Sequence, residues 1–251
     1  AGTALGTSLA ALFGADQLRW VYGIDISCMV LLLVLVGWLP RHSAMPNASE
    51  APSTGPAAPR SWLRPLLPLL MLSLLGTGLI NLQQSALPLD LANGGLARAG
   101  LPEVGGGLLM GVQLVLILLL QWPVGHRLGQ QPVGVGLRLS LRSFAAACGL
   151  MALSALHPQG VVLLLAAQPL LALAITAFLP TITEAVIEAV EPAHQGLALG
   201  LYSQAWAISG ISLPPIAGWM LQSEQHGLGL WLLMGGFSLL ALPLTPHRLS
   251  H

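Results

Sequence analysis

The chain has 251 residues, is 55% hydrophobic and only 7% charged, and carries no net charge at neutral pH. Ordinary soluble domains are about 25% charged, so this composition, with a mean hydropathy of +0.78, excludes a water-solvated surface and points to lipid as the solvent. All nine basic residues are arginine; a Schiff-base lysine and a Walker-type lysine are therefore excluded, and nothing in the charge balance calls for nucleic acid as a partner.

In chain order, AGTALGTSLAALFG (residues 1–14) is helical in composition but too short to span, since a span needs about 20 apolar residues. It reads as the end of a longer helix, and the chain as a fragment whose upstream part is missing. Asp16, Gln17 and Arg19 form a polar turn. Residues 20–38 make the first complete span, with Trp20 and Trp38 at its two boundaries, where interfacial anchors gather. Residues 40–61 hold Pro40, Pro46, Pro52, Pro56 and Pro59 among Ala, Ser, Thr and Asn, the composition of an extended linker.

Six further spans are expected after it, at 62–88, 104–122, 132–156, 160–190, 193–221 and 228–245. Residues 90–103 form a glycine-rich polar loop between the first two of these, and PVGHRLGQQP (123–132) a tight loop after the second. The fold class is thus an all-α integral membrane protein. Three regions are expected: 1–39, the linker 40–61, and a six-helix transmembrane domain over 62–251. Positive charge orients it. Arg41, Arg60, Arg64, Arg127, Arg138, Arg142 and Arg248 fall on one side and Arg19 and Arg98 on the other. That places the linker and the C-terminus in the cytoplasm, in the inner membrane of a bacterium.

Two helices followed by a long linker and then six helices resemble the centre of the major facilitator superfamily. Four stretches carry the resemblance. GTSLAALFGADQLRWVYGIDI is similar to the join of the family's fifth and sixth helices. LPLDLANGG and GGGLLMGVQLVLILLLQWPVGHRLGQQP are similar to the seventh-to-eighth and eighth-to-ninth joins. PAHQGLALGLYSQAWAISGISLPPIAGWML is similar to the eleventh helix, and the count of six spans fits the C-terminal half. The resemblance implies an MFS-type C-terminal half-bundle plus one and a half helices of the N-terminal half. It implies secondary active transport of a small solute by alternating access, with the lipid bilayer and the missing N-terminal half of the same protein as partners, and a truncated chain that is inactive alone. A non-transporting structural or assembly subunit is the alternative. An intramembrane enzyme ranks below both, because no HExxH, Ser/His pair or paired aspartates exist in the spans.

Polar residues inside apolar spans are the candidates for function, because an unpaired polar group in hydrocarbon is costly. The resemblance directs attention to the helices that line the family's cavity. There the candidates are Asn81 and Gln84 on the first of the six helices, with Gln83 beside them, Gln113 on the second, Gln168 on the fourth, and Gln204 and Trp206 on the fifth. Amides donate and accept, which suits a neutral or mixed ligand. Against these stand plain interhelical bonding for the glutamines, packing for Trp206 and a helix end meeting water for Asn81 and Gln84. Asp25 is the candidate proton or charge relay, or else an acid reaching interfacial water or Arg19. Arg142 and Glu184 fall at similar depths, about 12–15 Å in at 1.5 Å per residue, and are candidates for a gating salt bridge with Arg127 as a further partner; snorkelling to the interface is the other reading. The seven histidines lie in loops and termini with no ligand spacing, so neither metal nor cofactor is expected. Cys28 and Cys148 are expected as buried free thiols.

Overall fold

The computed structural model describes residues 62–222 and 227–246, together with Ile26, Ser27, Val30, Leu31 and Val34. The chain divides into two compact units, 1–61 and 62–251. Asp25, Cys28 and the linker lie outside the described residues.

The described part of the second unit is all-helical. Its helices are α1 (Leu63–Asn93), α2 (Glu103–Leu128), α3 (Val133–Ala155), α4 (Gly160–Glu188), α5 (Gln195–Leu221) and α6 (Leu228–Leu240), with short 3-10 turns at Pro192–His194 and Leu242–Leu244. Four helices, α1 to α4, are long and apolar enough to cross a membrane by length and composition. At 23 to 31 residues each is about 35–47 Å long, against a hydrocarbon core of about 30 Å. These features are those of an all-α, multi-pass membrane protein.

The boundaries differ from the sequence expectation in ways that have local causes. α1 continues through Pro88 to Asn93, because its last turns are anchored by the buried Asp90 and Leu91. It ends at Gly94, whose φ of 81° only glycine adopts freely. α2 runs through Pro123 to Leu128, so the expected tight loop shrinks to the few residues before α3. α5 has 27 residues but is not among the four helices that meet both the length and the hydropathy of a crossing, since Gln195, Ser203, Gln204, Ser209 and Ser212 interrupt it. α6 has 13 residues and then tightens into a 3-10 turn at Pro243. Of the six expected spans, four meet the length and hydropathy of a crossing.

The main packing partners are α3 with α4, α1 with α5, α3 with α6, and α2 with α4. The core sits between α1, α3 and α4. Phe144 meets Phe178 edge-on with ring centroids 6.4 Å apart, and the Phe178 ring lies over Gly76, where a Cβ would collide with it. Many hydroxyls are satisfied within their own helices, as where Ser73 donates to the Leu69 carbonyl (2.7 Å) and Thr176 to that of Ala172 (2.8 Å), which removes the cost of placing them in an apolar setting.

Two features close the ends. At one, Trp62 stacks on His194 (5.0 Å between ring centroids), joining the start of α1 to the α4–α5 turn. At the other, the loop between α1 and α2 folds back over the bundle. Gly95 donates to the Arg98 carbonyl (2.9 Å), Ala97 to that of Ala155 (2.8 Å) and Leu101 to that of Leu91 (2.7 Å).

Candidate functional site

The middle of the α1–α5 contact is polar. Asn81 Nδ2 donates to Ser209 Oγ at 2.8 Å, and Thr77 Oγ1 lies 3.1 Å from the same oxygen. Ser209 Oγ in turn donates to the Trp206 carbonyl (3.1 Å). Small residues allow the approach: Leu213 fills the space a side chain at Gly78 would need, and the Asn81 amide rests over Gly210. Tyr202, Trp206 and Ser209 recur at helical spacing along this stripe, and Trp206 Nε1 donates to Tyr202 Oη (3.3 Å). The structure thus brings Asn81 and Trp206 to one seam through Ser209. It leaves Gln84 and Gln204 exposed, Gln84 one turn from Asn81 and Gln204 on a different side of α5 from Ser209.

Gln113 and Gln168 behave differently. Both are buried, at 3% and 0% exposure, and Gln83 joins them at 5%. Gln168 Nε2 donates to the Leu164 carbonyl of its own helix (3.0 Å). Its Oε1, Gln113 Nε2 and Gln83 Oε1 reach no hydrogen-bond partner. Gln83 and Gln113 are each ten residues, and Gln168 eight, from the helix terminus near the Asp90 end; at 1.5 Å per residue all three sit about 12–15 Å in. They lie on α1, α2 and α4, which pack on one another. The sequence singled out Gln113 and Gln168 but gave Gln83 no role of its own. Its signal was available: it falls seven residues from both Gly76 and Asp90, on the stripe of α1 that faces inward.

The charged candidates do not converge. Arg142 and Glu184 are both exposed and form no ion pair with each other; among the described residues the ion pair is Arg98 with Asp90 (3.2 Å). The expected Arg142–Glu184 bridge is therefore corrected for this conformation. α3 and α4 meet through Ser140, which donates to the Ala174 carbonyl (2.9 Å), and through Phe144 and Phe178. Arg142 lies two residues from each of Ser140 and Phe144, on the opposite side of α3. Arg127 is exposed near the end of α2 and joins neither. No group of His, Cys, Asp or Glu among the described residues could hold a metal ion, and Cys148 is a buried free thiol.

No family model, curated protein or solved structure matches the chain. What the geometry defines is a class: a helical membrane bundle with a polar seam and a level of buried amides, and, among the described residues, no metal-binding cluster of titratable groups.

Proposed function

We propose that the chain forms half of a secondary transporter of the major facilitator type, a carrier rather than a catalyst. It would move a small, uncharged polar solute and face a second helical half across the exposed polar side of α1 and α5, where Gln84 and Gln204 lie. One observation carries this reading: three buried amides on α1, α2 and α4 each hold a polar atom that nothing in the protein satisfies. A buried polar group left unpaired costs about 1–3 kcal/mol, so three at one level favour a polar occupant. An amide level without a charge suits a solute that both donates and accepts.

The test is solute-induced stabilisation of the full chain in nanodiscs, with glycerol, glucose, urea and glycine betaine as probes. One of the uncharged probes is expected to raise Tm, as binding to the folded state must. Gln113→Leu and Gln83→Leu are expected to abolish that shift while leaving the unliganded Tm unchanged or higher. If no probe shifts Tm and both leucine variants lower it, the amides are structural, and a non-transporting assembly subunit becomes the better reading.

A further inference from the structure

The end of the bundle where α1 finishes holds a second polar assembly, apart from the amide level. Asp90 and Arg98 are almost fully buried, at 1% and 3% exposure. Arg98 Nη2 donates to Asp90 Oδ2 (3.2 Å) and to the Asp90 carbonyl (2.9 Å), and Nη1 donates to Ser154 Oγ (2.7 Å). Trp231 Nε1 donates to the same carboxylate oxygen (3.2 Å). The knot thus takes one group from each of α1, the α1–α2 loop, α3 and α6. Two glycines show how closely the backbone is drawn in. A Cβ at Gly227, which has a φ of 79°, would strike the Asp90 carboxylate, and one at Gly160 would meet the Ser154 carbonyl.

Two of the long helices outside the knot are held quite differently. α2 buries only Leu109, Gln113 and Leu128. α5 buries only Ala198, Ala205, Ser209, Ala217 and Leu221. By contrast α1, α3 and α4 each bury about half their length.

We propose that the Asp90–Arg98–Ser154–Trp231 knot fixes α1, α3 and α6, with α4 carried on α3, as a rigid frame, and that α2 and α5 are the two helices that move against it. Each moving helix then slides along one frame helix: α5 on α1 through small residues and the Thr77–Asn81–Ser209 bonds, and α2 on α4. The functional meaning of that motion rests on the transport reading; the frame itself does not.

Hydrogen exchange of the full chain in nanodiscs reads the frame directly. In the wild type, α2 and α5 are expected to exchange faster than α1, α3 and α6. Asp90→Asn leaves the buried guanidinium without its counter-charge, a disruptive change. It should raise exchange about tenfold, and together, in the last turns of α1 and α3 and the first turns of α6, with α2 and α5 unchanged. Asp90→Asn with Arg98→Met removes both charges and should recover most of that protection. A response confined to residues 94–101 would reduce the knot to a loop strut and overturn the proposal. So would equal loosening of all six helices, or no recovery in the double variant. Solute stabilisation through Gln113 is a separate readout, so the frame and the transport reading can fail independently.

Discussion

At the scale of the residue, the structure distinguishes polar groups that are matched from those that are not. Ser209 is matched three ways, through Asn81, Thr77 and the Trp206 carbonyl. Interhelical hydrogen bonds in membranes are worth about 0.6 kcal/mol on average and up to about 1.7. Ser209→Ala is therefore expected to destabilise the bundle by about 1 kcal/mol, measured by denaturant titration in mixed micelles. Gly76 is a steric prediction. Its missing Cβ is where the Phe178 ring lies, and because both groups are fully buried the ring has little room to retreat. Gly76→Val is expected to cost at least the 1–3 kcal/mol of ordinary overpacking, while Phe178→Ala opens a cavity and costs about 3–5 kcal/mol. The double variant Gly76→Val with Phe178→Ala should then be less damaged than the sum of the two, which is the measurement that identifies direct contact. Cys148 belongs at this scale too. At 1% exposure between α3 and α6, it should resist maleimide labelling in the folded chain and react on unfolding.

At the scale of the element, helices were legible in the sequence and their ends were not. Long apolar runs identify spans because lipid leaves the backbone no alternative to the helix. The ends depend on what a residue meets in three dimensions. Pro88 reads as a terminator in one dimension, yet α1 passes through it because Asp90, two residues on, is held by Arg98 and Trp231. Trp231 lies 141 residues away from Asp90, a separation no local pattern reports. The same holds for the site. Polar residues within apolar runs were visible, so Asn81, Gln113, Gln168 and Trp206 could be singled out. The knot was missed because Arg98 sits in a glycine-rich loop and counted only as a charge on the far side. A signal did exist: in a chain this poor in charge, an aspartate and an arginine flanking one short loop are worth pairing. The opposite error fell on Arg142 and Glu184, where equal depth suggested partnership. Depth fixes one coordinate of a helix residue, and the angle around the axis decides the neighbour.

At the scale of the whole molecule, the alternation of helix directions makes a topological prediction. Ala99, in the loop that ends α1, and Gln130, in the turn after α2, are both exposed and at opposite ends of the bundle. Single cysteines placed there, in a background lacking Cys28 and Cys148, should be labelled by an impermeant maleimide from opposite faces of sealed vesicles. Labelling of both from the same face would contradict a crossing by α2. The exposed aromatic rings agree with such a placement. Trp122 is 79% and Trp219 76% exposed, near opposite ends of the bundle, and tryptophan is favoured at each lipid–water boundary.

The pairing of α1 with α5 has a consequence for how the protein is made. Asn81 and Ser209 are 128 residues apart. At about 5–20 residues per second, a ribosome that has just released Asn81 needs about 6–26 s to deliver its partner. During that interval Asn81 would sit in an inserted helix without its partner on α5, while Thr77 keeps its bond to the Ser73 carbonyl of its own helix (2.7 Å). α1 is thus the helix most in need of a temporary host at the insertion machinery, and the bundle closes only once α5 has left the ribosome.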